Sequence, residues 1–308
     1  MTKIVFFGNE RLVSGLEKTS APILCGLIER GYDIAAVVSH YTFGKSRNNR
    51  ELEVAEIAKT YGIPLFTPSK PAEIAQELNE LHADIAVLVA YGRIVSQEII
   101  DMFPKGIINI HPSLLPRYRG PTPIEATILN GDDRAGVSII QLTAGMDEGP
   151  IYSQKSLNIS GTETKFELYK KIEETVTPLF FEVFPKIIDG TLKPEPQNNN
   201  EASYCKLIQK SDSRVDWNKS ALEIEREIRT FLGWPQSKTN LGKTEIIITK
   251  AHVVSGDLPI GKAVRQDRNT LLVGTSKDLL SIDALKPLGK QEMPISAFLA
   301  GYQDRLDI

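Results

Sequence analysis

Short apolar runs alternate with stretches of helical periodicity through the first half of the chain. Four of the runs are predicted to be buried strands: "KIVFF", "IAAVVS", "ADIAVLVAY" and "GIINIH". Between them, "PILCGLIERG" and "ELEVAEIAKTYG" carry apolar residues at helical spacing, and each ends on a glycine in the C′ position. Strands that alternate with helices in this way predict an α/β domain with a Rossmann-like parallel sheet.

The middle of the chain continues this pattern and then loses it. "PTPIEATILNG" predicts a helix that begins at Pro123 and closes at Gly131, and "VSIIQL" and "GPIYSQKSLNI" are strand-like. A long helix is predicted from Thr164 to Ile188. The following "GTLKPEPQNNNEAS" gathers Pro, Asn and Glu without periodicity, which is typical of a linker.

The last hundred residues have a different pattern. One helix, "SALEIEREIRTFLG", with Asn218 or Ser220 as its N-cap, precedes β-like runs at "EIIITKAHVV", "GKAVRQ", "TLLVGTS" and "LLSIDAL". Several short strands with glycine-bearing turns favour a small, OB-like β-barrel. We therefore predict a domain over residues 1–189, a linker over 190–204 and a second domain over 205–308.

Composition is that of an ordinary globular protein, with 41% hydrophobic and 24% charged residues in 308. Cys25 and Cys205 lie far apart and outside any metal-ligand spacing, so neither a disulfide framework nor a zinc site is expected. A reducing cytoplasm fits this cysteine use. "MTKIVFFGNE" is interpreted as a buried strand rather than a signal peptide, and no apolar stretch is long enough to span a bilayer.

The formal net charge of −3 argues against a general polyanion binder, but the charge is unevenly divided. Residues 1–204 contain 20 Lys and Arg against 26 Asp and Glu, whereas residues 205–308 contain 16 against 13. This mildly basic last third permits contact with a phosphate backbone, although a mixed solvated surface would give the same count.

Asn109 and His111 end the strand-like "GIINIH". Ligands bind outside the carboxyl ends of strands in open parallel sheets, and residues two apart on a strand face the same way. An amide N–H beside an imidazole suits acyl transfer, because both can stabilise a developing oxyanion and the imidazole can move a proton. A structural histidine with an asparagine cap at the strand end is an equally good interpretation of the spacing.

The segment "TAGMDEGP" places Asp147 between Gly145 and Gly149, as expected of a turn in which the backbone adopts positive φ. Such an Asp is usually a turn residue that bonds its own backbone. If the turn folds back beside His111, Asp147 would instead orient the imidazole, hold a water or take a proton from an attacking amine.

Two charged loops have both a functional and an ordinary interpretation. "PSLLPRYRG" is stiffened by two prolines and made cationic by Arg117 and Arg119, which fits either a binding loop or a solvated turn. The basic residues of "GKSRNNRE" could bind phosphate, or the segment could be an exposed loop with solvated charges. Neither a GxGxxG fingerprint nor a P-loop is present, so binding of NAD or ATP is not expected.

Taken together, "NIHPSLLPRYRG" and "GMDEGPI" resemble the catalytic core of the formyl-tetrahydrofolate-dependent formyltransferases. "RYRGPTPIEATILNGD", "YCKLIQKSDSRVDW" and "REIRTFLGWP" extend the resemblance over nearly the whole chain and favour the branch of the family that acts on methionyl-tRNA. The resemblance implies transfer of a formyl group from 10-formyltetrahydrofolate to the amino group of methionyl initiator tRNA, which serves translation initiation, in a cytoplasmic monomer without a metal or membrane partner.

The resemblance also implies residue roles. Asn109 and His111 would hold and polarise the formyl oxygen, and Asp147 would organise water or relay the proton. The folate site would be formed by two segments: Ser113, Leu114, Leu115 and Pro116, and Val89, Ala90, Tyr91 and Gly92. The basic second loop would contact tRNA through Lys45, Arg47 and Arg50, and the C-terminal barrel would lie along the acceptor arm.

The chain departs from the family at two places. "GNERLVSGLEKTSAPIL" is longer than the usual turn after the first strand, and "SHYTFGKSRNNRE" replaces the usual glycine-rich loop after the second. "HPSLLP" and "MDEGPI" also resemble glycinamide ribonucleotide formyltransferase. Two alternatives therefore stay open: a formyltransferase for a small amine, such as an amino sugar nucleotide or glycinamide ribonucleotide, and a non-catalytic RNA-binding module.

Overall fold

The computed structural model describes residues 2–40 and 52–302, and within them the chain forms two compact units. The first unit comprises Met1–Ile124, Arg134–Asn158 and Leu168–Lys206. The second comprises Glu125–Asp133, Ile159–Glu167 and Leu207–Ile308. The segment predicted to be a linker groups with the first unit as far as Lys206, while the proposed domain boundaries themselves stay predictions.

The described part of the first unit contains a seven-stranded sheet in the order β3-β2-β1-β4-β5-β6-β7. Its strands are β1 (Lys3–Gly8), β2 (Asp33–Val38), β3 (Leu65–Phe66), β4 (Ile85–Val89), β5 (Ile107–His111), β6 (Arg134–Gln141) and β7 (Ile151–Asn158). The first five strands are parallel, which confirms the predicted Rossmann-like α/β class. β6 is antiparallel to β5, and β7 is antiparallel to β6. The connection between β6 and β7 is too short for the crossover that a parallel pair needs.

Helices cover both faces of this sheet. They are α1 (Pro22–Glu29), α2 (Glu53–Tyr61), α3 (Ala75–Glu80), α4 (Gln97–Ile100) and α6 (Lys165–Ile188). The remaining helix of this part of the chain, α5 (Pro123–Asn130), lies almost entirely in the second unit. Gly31 and Gly62 follow α1 and α2 with φ of +75° and +66°, the left-handed conformation expected after a helix. The predicted long helix corresponds to α6, which ends just before Gly190.

The core of the first unit lies in two layers, one on each face of the sheet. Along β1, Ile4 and Phe6 belong to one buried cluster and Val5 and Phe7 to the other. The first cluster packs with α1 and with Phe180 and Phe184 of α6. A sheet covered on both faces explains why its strands were continuous apolar runs rather than alternating ones.

The second unit contains one antiparallel sheet with strand order β10-β11-β12-β9-β8 and β13 beside β12. Its elements are α7 (Ala221–Phe231), β8 (Ser237–Leu241), β9 (Thr244–Val254), β10 (Ala263–Arg265), β11 (Leu271–Gly274), β12 (Leu279–Pro287), β13 (Met293–Pro294) and α8 (Ile295–Gly301). The sheet curls into a half-barrel, as the prediction of a small barrel requires. Of the two predicted N-caps of α7, Ser220 is used: its Oγ accepts the backbone N–H of Glu223.

Among the helices of the described residues, none is long and apolar enough to cross a membrane.

The long loop after β1 is anchored by a buried carboxyl group. Glu10 is 3% exposed, and its two oxygens accept the backbone N–H groups of Ile23 and Leu24 at 3.0 and 2.8 Å, where α1 begins. Burial raises the pKa of Glu10 to about 8, and the two backbone hydrogen bonds oppose this rise. This contact holds the long segment between β1 and α1 against the start of the helix.

Replacing Glu10 with glutamine is expected to change how stability depends on pH. Because the folded-state pKa is raised from 4.5 to about 8, the contribution of Glu10 is most favourable below pH 4.5 and is lost as the pH rises through about 8. Glutamine does not titrate there. Urea unfolding should therefore show that the free energy of unfolding of the wild type falls by up to about a few kcal/mol relative to that of Glu10→Gln as the pH rises from 5 to 9. If the free energies of unfolding of the two proteins changed with pH in the same way, the Glu10 carboxyl group would not be buried in its neutral form.

Candidate active site

Asn109 and His111 lie at the carboxyl end of β5, in the middle of the sheet. They are 6% and 4% exposed, and the residues beside them, Ile108 and Ile110, point into the core cluster that packs with α6. Strand alternation therefore turns the amide and the imidazole to the other face, as their spacing predicted.

Asp147, which lies in the connection between β6 and β7, joins these two side chains. The Asn109 Nδ2 donates to Asp147 Oδ1 at 3.4 Å, and the His111 Nδ1 lies 3.6 Å from Asp147 Oδ2. The backbone N–H of Gly120 also donates to Oδ2 at 2.8 Å. The turn thus folds back beside His111, and one carboxylate contacts an amide, an imidazole and a backbone N–H.

The tautomer of His111 follows from its other ring nitrogen. Nε2 lies 2.9 Å from the carbonyl oxygen of Tyr118, which can only accept, so Nε2 carries the proton. Nδ1 of the neutral ring then has a free lone pair on the side of Asp147. If Nδ1 takes up a proton, the imidazolium is held between a carbonyl and a carboxylate, an arrangement suited to transient proton storage.

The turn around Asp147 is built differently from the sequence-based expectation. The positive φ, +51°, belongs to Asp147 itself, a residue type that tolerates this conformation, and neither Gly145 nor Gly149 adopts one. Gly149 is required for another reason: a Cβ there would lie 1.7 Å from the backbone oxygen of Gln141. Close packing of the turn on β6, rather than backbone freedom, explains this glycine.

Replacing Gly149 with alanine is expected to lower activity at least about a hundredfold and to reduce the unfolding midpoint, because the turn must leave β6 and carry Asp147 away from His111. Gly145→Ala is the matched comparison, since its Cβ would meet the flexible Glu148 carboxylate rather than backbone. Steady-state kinetics and thermal unfolding would measure both variants. Equal effects of the two substitutions would contradict this explanation.

The three side chains line one end of a pocket of about 470 Å³ in the first unit. Its wall is formed mainly by two segments that follow β4 and β6. The lining residues are Arg11, Leu12, Leu88, Ala90, Tyr91, Gly92, Arg93, Ile94, Val95, Asn109, Ile110, His111, Pro112, Gly120, Pro121, Pro123, Leu142, Thr143, Ala144, Gly145, Met146 and Asp147. The volume lies within the range of about 300–1,000 Å³ that is usual for small-molecule sites.

The two segments expected to form the folate site have different positions. Ala90, Tyr91 and Gly92 line the pocket, and Val89 is buried in the strand that leads to them. Residues 113–116 do not line the pocket as the described residues form it. Ser113 stabilises its own loop, because its Oγ donates to Arg117 O at 2.6 Å, whereas Leu115 bonds to Ser138 and Gln154 of β6 and β7.

The loop arginines also differ from both interpretations of their sequence. Arg117 is exposed, whereas Arg119 is only 1% exposed and hydrogen-bonds to side chains of the Pro- and Asn-rich segment. Neither a cationic binding loop nor a pair of solvated charges describes Arg119. The basic residues predicted to contact tRNA, Lys45, Arg47 and Arg50, lie outside the described residues.

Sequence reasoning missed several lining residues. Arg11 follows β1, Arg93 and Ile94 follow β4, and Leu142 and Met146 flank the Asp147 turn. The rule that ligands bind beyond the carboxyl ends of the strands could have found them, because each of these positions lies in a segment that follows a strand of the sheet. Ile94 and Met146 are 84% and 56% exposed, so this edge of the pocket presents apolar side chains to solvent.

Comparison with known families matches both parts of the chain. The model described as "Formyl transferase" matches residues 3–184, and "Formyl transferase, C-terminal domain" matches residues 207–303. The chain belongs to the formyl transferase family.

Relatives within the formyl transferase family share nearly the full length of the chain. It is 36% identical over 301 residues to the methionyl-tRNA formyltransferase of Pseudoalteromonas translucida (strain TAC 125), covering 95% of this chain and 94% of that one. It is 33% identical over 313 residues to that of Streptococcus thermophilus (strain ATCC BAA-250 / LMG 18311), covering 100% and 98%. Among solved structures, the sugar 3N-formyl transferase WlaRD, crystallised in the presence of dTDP and 5-N-formyl-THF, shares the fold. The TM-score is 0.69 at 19% identity, covering 94% of this chain and 99% of that one.

Proposed function

We propose that this formyl transferase moves a formyl group from 10-formyltetrahydrofolate to the free amino group of methionyl initiator tRNA, producing N-formylmethionyl-tRNA for translation initiation in the cytoplasm. The observation that carries the proposal is the contact of Asp147 with both Asn109 and His111 at one end of the pocket. The full-length likeness to methionyl-tRNA formyltransferases supports the choice of acceptor.

The pocket suits a tetrahydrofolate-type formyl donor. Apolar side chains, among them Leu88, Val95 and Leu142, and the backbone of residues 90–92 would form the wall for a flat heterocycle, and Asn109, His111 and Asp147 line the same pocket. The folate supplies an activated formyl group. With the heterocycle against residues 88–95, its formyl end would face Asn109 and His111.

Asn109 would stabilise the formyl oxygen. Its Nδ2 has two N–H groups, and Asp147 accepts one of them, which fixes the amide and leaves the other for the oxygen as negative charge develops. Burial strengthens this interaction, because little water competes at a side chain that is 6% exposed.

His111 and Asp147 would accept and donate the protons that the transfer moves. The acceptor amine must lose a proton as its nitrogen bonds to the formyl carbon, and the folate nitrogen gains one as its bond to that carbon breaks. Nδ1 of His111, or the adjacent Asp147 carboxylate, can take the first proton, and the imidazolium so formed can supply the second. The transfer is then balanced without net proton uptake by the enzyme.

The second unit would bind the nucleic acid. It presents exposed cations around its half-barrel, including Lys243, Lys250, Lys262, Arg268, Lys277 and Lys290. Lysine ammonium groups on a mildly basic surface suit contacts with phosphate that are independent of sequence.

The test compares kcat/KM for four acceptors: charged initiator tRNA, uncharged tRNA, glycinamide ribonucleotide and an amino sugar nucleotide, each with 10-formyltetrahydrofolate. We expect transfer only to the charged tRNA. Transfer only to a small amine would leave the proposed chemistry of the site in place and show that the proposed acceptor is wrong. No transfer to any acceptor would contradict the proposal.

A further inference from the structure

Gln197 lies in the Pro- and Asn-rich segment over 190–204, yet it contacts the turn that carries Asp147. Its Nε2 donates to the backbone oxygens of Asp147 and Gly149, each at 2.7 Å. Both N–H groups of the side-chain amide are therefore used on the turn. A segment expected only to connect two domains supplies a direct hydrogen-bonding support for the site.

Arg119 in turn fixes the amide of Gln197. Its Nη2 and Nε donate to Gln197 Oε1 at 2.8 and 3.1 Å. The same guanidinium donates to Asn199 Oδ1 at 2.7 Å and to the Tyr204 hydroxyl at 3.1 Å. Arg119 is 1% exposed, and two of its N–H groups hold Gln197 Oε1, so the Gln197 amide is fixed in one orientation.

Arg119 and Gln197 both lead to Asp147, one through its neighbour in sequence and the other through its side chain. Gly120, the residue after Arg119, gives its backbone N–H to the Asp147 carboxylate, while Gln197 holds the backbone of Asp147. The Asp147 carboxylate is thus held by the residue after Arg119, and the Asp147 main chain by the side chain that Arg119 fixes.

We infer that Gln197 is a positioning residue that holds Asp147 in register with Asn109 and His111, and that Arg119 fixes the side chain of Gln197 for this task. The inference rests on the proposed catalytic use of Asp147. It makes the segment over 190–204 a functional part of the active site.

The position demands an amide of this length. The side chain must accept from a guanidinium at one atom and donate two hydrogen bonds to carbonyls at the other. Glutamate keeps the length and the acceptor for Arg119, but it presents an anion to two carbonyl oxygens. Gln197→Glu therefore removes the support of the turn and preserves the contact with Arg119.

The experiment compares Gln197→Glu with Asn199→Asp, which places the same new charge on the same guanidinium and leaves the Gln197 amide intact. We expect Gln197→Glu to lower kcat on the order of a hundredfold, with KM for either substrate changed less than about threefold. Asn199→Asp should stay within about threefold. Equal losses in both variants, or a loss in KM alone, would overturn the inference.

A double-mutant cycle separates positioning from general structural damage. If Gln197 acts through Asp147, adding Gln197→Glu to Asp147→Asn should lower the residual single-turnover rate by less than about twofold. Multiplied losses would show that Gln197 acts elsewhere and would overturn the inference. Thermal unfolding should show that Gln197→Glu and the double variant are folded at the assay temperature. If Gln197→Glu does not fold, Gln197→Met takes its place in the cycle.

The failure of the proposed function is distinguishable from the failure of this inference. If the wild type formylates an amino sugar nucleotide or glycinamide ribonucleotide instead of charged tRNA, the choice of acceptor is wrong. The same variants are then compared on the acceptor that works. The non-additivity of Gln197→Glu and Asp147→Asn still decides whether Gln197 positions Asp147.

Discussion

Replacing Asp147 with asparagine is expected to lower kcat about a thousandfold and to leave KM for both substrates within a few fold. Asparagine keeps the shape of the side chain but carries no charge and only one oxygen. It cannot accept hydrogen bonds from both Asn109 and Gly120, and it cannot stabilise a protonated His111. Steady-state kinetics with charged tRNA would measure the loss.

The control for this variant is Glu148→Gln, which removes one negative charge from the same turn. The Glu148 side chain is 46% exposed and contacts Arg119 and Tyr204 rather than His111. Its kcat should stay within about threefold of the wild type, because exposed charges contribute little. A rate for Asp147→Asn within tenfold of the wild type, in a folded protein, would show that the carboxylate has no part in the chemistry.

Replacing His111 with alanine is expected to reduce turnover by about a thousandfold or more, because the proton-accepting Nδ1 disappears. Alanine also removes the hydrogen bond to the part-buried Tyr118 carbonyl, which then keeps only the weak contact from Cys205 Sγ, so the protein should lose about 1 kcal/mol of stability. Single-turnover formylation, together with the unfolding midpoint, would measure both consequences.

His111→Gln separates these two effects. Its amide can donate to the Tyr118 carbonyl in place of Nε2, yet it cannot take up a proton near neutral pH. We expect the stability of this variant to approach that of the wild type while kcat remains at least about a hundredfold lower. Turnover close to the wild-type rate would limit His111 to hydrogen-bond donation.

The sequence alone predicted that Asn109 and His111 face the same way at the carboxyl end of a strand, because strand alternation and the carboxyl-edge rule are local and general, but it favoured a catalytic role no more than a structural one. Asp147 needed more information. Its turn could be recognised, but its position beside His111 depends on the antiparallel pairing of β6 with β5, a contact between distant parts of the chain. The family resemblance supplied that link, and the structure brings the three residues together as it implied.

Arg119 and Gln197 show where sequence reasoning failed. An arginine between a tyrosine and a glycine in a proline-rich loop has the pattern of a surface charge, and only the tertiary contacts with Gln197 and Tyr204 account for its burial. Likewise, a segment of Pro, Asn and Glu has the composition of a linker. Composition does not record that Gln197 pairs with two carbonyls of a distant turn.

The short elements were missed for a simpler reason. β8 has the sequence "SKTNL", whose polar residues give no apolar run, and its pairing with β9 creates the strand. β3 and β13 are two residues each, below the length at which periodicity can be detected. These strands depend on partners rather than on their own sequence.

The most direct measurement follows an isotopically labelled formyl group from 10-formyltetrahydrofolate during one turnover with methionyl initiator tRNA, then identifies the amino acid released by deacylation. N-formylmethionine that carries the label, formed by the wild type and not by Asp147→Asn, is the expected result. Release of unmodified methionine by the wild type, with the label still on folate, would contradict the proposed transfer.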